Sequence, residues 1–284
     1  MPSYLLVFAT LISLLSSPLA AASDTTLQRI EKNKLLKIGY RESSPPFSFL
    51  AEDGRPQGYS IELCQLVASD ILRHMKFDAL GVEWVKVDAQ NRFDALQRGD
   101  IDLLCGNTTQ TLSRREQFDF SLMTFVDGAG LLYRAGEKPQ SLEQMRGQRF
   151  AVVAGTTTEK VLDRLVSGSK LGASLVRVKD HDMAIKALEG GDASAYAADR
   201  TVLISTALAK GSGKTLELAD VQFSYEPYGL VMRRDADFRL LVDRTLARLY
   251  SNGEIEMIMG RWFATVGHLT DAIKAMIELN ALPE

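Results

Sequence analysis

An α/β fold in two lobes is predicted by three observations. Strand-like runs alternate with helix-like ones over residues 35–106 and again over 128–199. The pattern then turns purely helical from Phe238 onward, and two turn-bearing segments, 125–130 and 225–229, interrupt the alternation. Such alternation reads as βαβ units feeding a parallel sheet. The two segments are read as interlobe crossings. Residues 23–126 and 229–284 are then lobe 1 and residues 127–228 lobe 2, with the terminal helices returning to the first lobe.

The elements follow in order. Leu-Leu-Lys-Ile-Gly-Tyr at 35–40 is a strand, followed by a loop rich in turn formers at 43–46 and 53–58. Ile61, Cys64, Val67, Ala68 and Ile71 recur at helical spacing, with Ser60 as the expected cap. Residues 82–87 form a strand and 92–98 a short helix stopped by Gly99; 100–106 is a strand opening into Asn107-Thr-Thr-Gln-Thr. In the second block, 128–134, 149–154, 175–179 and 193–198 read as strands. Gly155-Thr-Thr-Thr-Glu opens one helix, 183–189 is another, and 200–209 a third. After a last strand-like run at 228–233, helices are expected over 238–250 and 254–263, split by Ser251-Asn-Gly, and over 269–279.

The first 22 residues carry no Asp, Glu, Lys or Arg, and an apolar run over 4–15 leads to Ser-Ser-Pro-Leu-Ala-Ala-Ala at 16–22. That run is shorter than the roughly 20 apolar residues of a membrane span, and the small residues fit a secretory cleavage site. Residues 1–22 are therefore expected to be a cleaved signal peptide and the protein to be periplasmic. No cysteine lies near the cleavage site, so no lipid anchor is expected. The remaining chain has room for one large or two modest domains. Its formal net charge is −3 with Lys and Arg scattered, which excludes a nucleic-acid footprint. The two cysteines, Cys64 and Cys105, make neither a disulfide scaffold nor a zinc site. Export permits a bridge between them, and two buried thiols fit their apolar surroundings equally well. No metal cluster or cofactor loop is present.

Three arginines carry the chemistry. Arg41, Arg92 and Arg114 each follow a strand-like run, and in an open α/β sheet the carboxyl ends of the strands line the ligand crevice. Guanidiniums converging there suit a small ligand with more than one carboxylate, which the planar fork meets in a bidentate way.

These residues sit in motifs that resemble the extracytoplasmic solute-binding proteins of polar amino acid ABC importers, and within them the members that take glutamate or aspartate. The resemblance rests on Tyr-Arg-Glu-Ser-Ser-Pro-Pro-Phe-Ser at 40–48, Gln-Asn-Arg at 90–92, Cys-Gly-Asn-Thr-Thr at 105–109 with Arg114 and Phe-Asp-Phe-Ser at 118–121, and Lys-Asp-His at 179–181. Gly-Tyr-Ser-Ile-Glu at 58–62 and Arg-Trp-Phe at 261–263 fit the wider superfamily. It implies the type II periplasmic binding protein fold, a two-segment hinge, a membrane permease as partner and a monomeric state. By resemblance, Arg114 holds a ligand α-carboxylate with help from Thr109 and the amides near Thr156, and Asn107 is a further ligand-binding residue. Asp199 takes the α-ammonium, while Arg41, Arg92 and His181 take the side-chain carboxylate. Read on their own, His181 is a surface histidine, Asp199 a cap for the helix at 200–209, and Thr156, Thr157 and Thr158 helix caps. The chain departs from the pattern at Asn107, Ala89 and Val153, where hydroxyl residues are usual, and at Arg200, where a second acid is.

Counting these residues gives +3 from the arginines and −1 from Asp199, with Glu42 expected to offset the remainder if it points inward. Burying a guanidinium without a partner costs about 3–5 kcal/mol. A hundredfold or so of discrimination against a neutral ligand such as glutamine is therefore expected. Two other readings compete with this one. In the first, a dehydratase-like enzyme on the same scaffold acts on a cyclic carboxylic acid, recruiting Glu42, Glu159 or His181 as general acid. In the second, the chain is the input module of a sensor.

Overall fold

The structure, a computed structural model, describes residues 24–139, 143–169, 172–267 and 270–283. The expected signal peptide, residues 1–22, lies outside them. Among the described residues, no helix is long and apolar enough to cross a membrane and no cluster of metal-ligating side chains occurs.

The chain begins with α1 (Thr26–Asn33), β1 (Leu35–Tyr40) and a small antiparallel sheet of β2 (Ser43–Ser44), β3 (Ser48–Leu50) and β4 (Pro56–Gln57). That sheet occupies the stretch expected to be a loop, because its strands are too short for period-2 alternation to show. Next come α2 (Tyr59–His74), β5 (Gly81–Lys86), α3 (Arg92–Arg98), β6 (Leu103–Cys105), α4 (Leu112–Arg115) and β7 (Phe118–Phe120). The helix α2 starts earlier than Ser60. Gly58 is its N-cap with φ +129°, a conformation reserved for glycine, and Ser60 donates to the Gly106 carbonyl instead.

The short strand β8 (Phe125–Asp127) leads into the second block. This comprises β9 (Ala129–Arg134), β10 (Arg149–Val153), α5 (Thr157–Gly168), β11 (Ser174–Val178), α6 (His181–Glu189), β12 (Ala195–Asp199), α7 (Arg200–Ala209) and β13 (Leu216–Leu218). The return strand β14 (Glu226–Tyr228) pairs antiparallel with β8, and β15 (Val231–Arg233), α8 (Ala236–Ser251), α9 (Glu254–Phe263) and α10 (Asp271–Asn280) follow.

Two five-stranded sheets result, ordered β5-β1-β6-β15-β7 and β11-β10-β12-β9-β13. Each has a parallel heart, as expected, but neither is wholly parallel. The antiparallel intruders are β15 in the first sheet and β9 in the second; β7 and β13, each antiparallel to its intruder, run with the parallel strands. The reason is topological. The chain enters each sheet from the β8/β14 ribbon, so β9 and β15 run opposite to the βαβ strands they join.

The ribbon is anchored to the first lobe by aromatic packing. Phe125 stacks on Phe263 at 4.7 Å between ring centroids, and Phe47 meets Phe125 at 5.1 Å and Tyr228 at 5.2 Å edge-on. These rings belong to one core with α2, α8, α9 and α10, so the C-terminal helices pack on the first lobe. A disulfide joins Cys64 of α2 to Cys105 at the end of β6, settling the question the sequence left open. The second lobe has apolar cores on both faces of its sheet and no cross-link.

Candidate functional site

All eight residues singled out above, Arg41, Arg92, Asn107, Thr109, Arg114, Thr156, His181 and Asp199, line one cavity between the two lobes. Val153, Thr157, Thr158, Ala197 and Ala198 complete it. The convergence follows from topology. Arg41 comes straight after β1, Asn107 after β6, Thr156 after β10 and His181 after β11, while Asp199 ends β12. The carboxyl ends of the parallel strands of both sheets face each other across the cleft.

The first lobe supplies the cations. Arg41 is 7% exposed and Arg92 3%. Ser48 Oγ fixes the Arg41 backbone, accepting from its N–H at 2.8 Å and donating to its carbonyl at 3.1 Å. The Arg41 guanidinium itself has no hydrogen bond or ion pair among the described residues. Arg92 donates to the Ala89 carbonyl and, at 3.2 Å, to the Gly155 carbonyl of the other lobe; its Nε has no partner. Arg114 donates to the Thr109 carbonyl at 2.7 Å and lies over the Phe93 ring, as Arg92 does. None of the three meets a carboxylate. Burial lowers the pKa of all three, and for Arg92 the charges of Arg41 and Arg114 press the same way. A cavity of this kind stabilises an anion.

The second lobe supplies a helix start, an acid and a histidine. Thr156 caps α5, accepting from Glu159 N–H at 3.1 Å and donating to the Val153 carbonyl at 2.8 Å. Its hydroxyl is thereby used up, which leaves the free backbone amides of the first turn as the anion-facing donors. Gly155 holds φ +77°, and a Cβ there would lie 2.8 Å from the Ala89 carbonyl, so glycine lets the lobes approach. Asp199 precedes α7 but makes no cap bond. The capping is done by Asp127 from the ribbon, which accepts from Thr201 N–H at 3.2 Å. Asp199 is thereby released to the cavity, where Thr158 donates to it at 3.0 Å and Tyr228 donates its hydroxyl. Burial, then Glu226 and Asp127, push its carboxyl up to about 8.

His181 is buried, not a surface residue. It opens α6 and its Nδ1 meets the Tyr196 hydroxyl. Burial and the Arg41 charge pull it down to about 3, so it is neutral at ordinary pH. With the phenol donating to Nδ1, Nε2 carries the hydrogen and serves as a donor.

Two carboxylates escaped the sequence reading. Asp127 and Glu226 face each other across the β8/β14 ribbon, and Glu226 is only 1% exposed. Thr109 and Thr157 donate to its Oε2 at 2.6 and 2.7 Å, and Ser224 to Oε1 at 2.5 Å. Alternation in a three-residue strand gives no sign that an acid is the buried member. Glu42, expected to balance the arginines, instead pairs with Lys86 at 2.5 Å outside the cavity. Glu159 bonds Gly155 N–H and Arg177, each away from the cavity, and Arg200 turns to the Ala219 and Val221 carbonyls. The acids considered for an enzymatic role, Glu42 and Glu159, are thus held in surface ion pairs.

Comparison with known proteins places this geometry. Residues 36–265 match the bacterial extracellular solute-binding proteins, family 3. The chain is 32% identical, over 91% of its length and 87% of the relative's, to the L-glutamate/L-aspartate-binding protein of Pseudomonas aeruginosa. It is likewise 32% identical, over 91% of its length and 88% of the relative's, to the glutamate/aspartate import solute-binding protein of Salmonella typhimurium. Among solved structures, a solute receptor for L-cysteine of Neisseria gonorrhoeae has the same fold, with a TM-score of 0.75 at 23% identity over 88% of this chain and 98% of that one.

Proposed function

Because the chain belongs to the bacterial extracellular solute-binding proteins, family 3, we propose that it captures an acidic amino acid, glutamate or aspartate, and hands it to the membrane permease of an ABC importer. The reading rests on one observation above all, three guanidiniums in one cavity with no carboxylate among their partners. The names of the relatives from Pseudomonas aeruginosa and Salmonella typhimurium support it.

The ligand is oriented by charge. Its α-carboxylate lies between Arg114 and the orphan amides at the start of α5, where the positive end of the helix dipole adds to the guanidinium. The α-ammonium takes Asp199, with the unpartnered Oδ1 of Asn107 as a second acceptor. The side-chain carboxylate takes Arg41 and Arg92, and neutral His181 donates from Nε2. Residues from both lobes meet one molecule, and the two strands of the β8/β14 ribbon are the crossings between the lobes. Binding therefore favours the closed form, the hinge motion for which periplasmic binding proteins are a standing example. The permease reads the closed shape.

Titration calorimetry tests the assignment. Glutamate and aspartate should bind at least about a hundredfold more tightly than glutamine or asparagine, since a neutral amide leaves a buried guanidinium unpaired. Equal affinity for glutamine removes the acidic assignment.

A further inference from the structure

We infer that Glu226, with Thr109 and Thr157, forms a latch that stabilises the closed cleft by the same amount whatever amino acid is inside. The inference rests on capture between lobes but not on the identity of the ligand.

The three groups come from three parts of the molecule. Thr109 follows β6 in the first lobe and Thr157 is the first residue of α5 in the second; Glu226 stands on the ribbon beside Pro227, whose carbonyl accepts from Gln110 N–H of the first lobe at 2.7 Å, so Thr157 is the donor that crosses the cleft. Both threonine hydroxyls donate to the same oxygen, Glu226 Oε2, and the two hydroxyls lie 3.2 Å from each other. Ser224 satisfies the other carboxylate oxygen from within the connecting segment. No cation touches Glu226 among the described residues; the groups that contact its carboxylate are three hydroxyls. Drawing the lobes apart removes a donor from a buried carboxylate, which is more costly than breaking a bond at the surface.

Each hydroxyl has a single hydrogen, and both are committed to Glu226. Thr109 and Thr157 therefore line the cavity without a hydroxyl proton to offer a ligand carboxylate. What Thr109 offers a ligand carboxylate in this arrangement is its main-chain N–H, which takes no backbone partner in the bridge to Tyr228. The other interlobe bonds are of a different kind. Gln90 reaches the Ala154 carbonyl at 2.6 Å from an exposed position, and Arg92 reaches Gly155 with a guanidinium that the ligand claims. Among the interlobe side-chain bonds of the described residues, the Glu226 contact is the one made by a buried acid through side chains that the ligand does not claim.

The consequence is a division of labour. The arginines and Asp199 decide which ligand binds, while the latch sets the closed fraction, and hence scales every apparent affinity by one factor.

The test uses Thr157→Val, which keeps the branched shape and removes the hydroxyl, and Thr157→Ser, which retains it. Spin labels at Leu112→Cys and Leu165→Cys, both exposed, read the distance across the cleft; the native cysteines are joined to each other and do not compete for label. In the absence of amino acid, Thr157→Val should shift the distance distribution to longer values, while Thr157→Ser overlays the parent. Glutamate and aspartate affinities should both fall about tenfold in Thr157→Val, the effect of one hydrogen bond to a charged group. An unliganded distribution identical to the parent's overturns the latch, as does a loss confined to one of the two ligands. Should the parent bind neither amino acid, the proposed function fails and the unliganded distances still decide the latch.

Discussion

The two lobes bring opposite electrostatics to one cavity, and they achieve it in different ways. In the first lobe are three buried or half-buried guanidiniums, two of them leaning on backbone carbonyls and a phenylalanine ring, and none in contact with an acid. In the second, Asp199 is wrapped by the hydroxyls of Thr158 and Tyr228 and pushed toward its neutral form. One side keeps its charge and lacks a partner; the other has partners and sheds its charge. A protein built for internal stability would have paired the two sets. Holding them apart leaves both strained until a zwitterion carrying an extra carboxylate bridges them. Stability is supplied elsewhere, by the first lobe's disulfide and by the aromatic cluster under the ribbon.

Removing a cation should have the largest effect, and which cation is removed should decide its character. Arg114→Gln is expected to weaken every α-amino acid by several hundredfold or more, because a ligand carboxylate then lies buried without its main counter-charge. Arg92→Gln is expected to cost glutamate and aspartate roughly a hundredfold while leaving glutamine nearly unchanged. Calorimetry on the two variants separates the anchor from the selector. If Arg92→Gln weakens glutamine as much as glutamate, the assignment of opposite ends of the ligand to Arg92 and Arg114 is wrong.

On the acidic side the readout is pH. Without ligand, the Asp199 carboxyl sits near 8; beside an ammonium it ionises, so binding at neutral pH releases a proton. Affinity should therefore climb as pH rises toward 8 and fall as pH drops, by at most tenfold per unit. His181, near 3, takes no part. Calorimetry at pH 7 in buffers of different ionisation enthalpy should detect the released proton. Asp199→Asn should bind more weakly, by about tenfold or more, and lose the release. A flat pH profile between 6 and 8 in the parent would show that Asp199 stays ionised in the empty cleft.

What the sequence disclosed follows the same divide. Arg41, Arg92 and Arg114 were legible because strand ends are legible, and an arginine at a strand end has few structural duties. The alternation also gave nearly every long element. Asp199 was ambiguous, since a single residue before a helix has the form of a cap; only the position of Asp127, 72 residues earlier and brought to α7 by the ribbon, resolves it. Glu226 left no trace at all. Its partners Thr109 and Thr157 are far away in the chain, and a polar residue in a short strand reads as solvent-facing. The antiparallel strands were missed for a related reason, because strand direction depends on where the chain crosses between lobes rather than on local pattern. Chemistry stated by one residue type at one kind of position can be read from sequence; chemistry made by three distant segments cannot.

The smallest expected effect lies at Asn107. Its Oδ1 is buried without a partner and its side chain lines the cavity. Its amide is longer than the hydroxymethyl group of a serine, so it shortens the space available between the ammonium site and the paired arginines. Shorter space favours the shorter dicarboxylate. Asn107→Ser should therefore shift the ratio of glutamate to aspartate affinity toward glutamate by about three- to tenfold, the low end of what one methylene discriminates in a tight site. Total affinity should change less than the ratio, because the ammonium keeps Asp199. Competition calorimetry of the two ligands against each variant measures that ratio directly. An unchanged ratio would mean that Asn107 acts only as an acceptor for the ammonium, and that the length of the cavity is set by Arg41 and His181 instead.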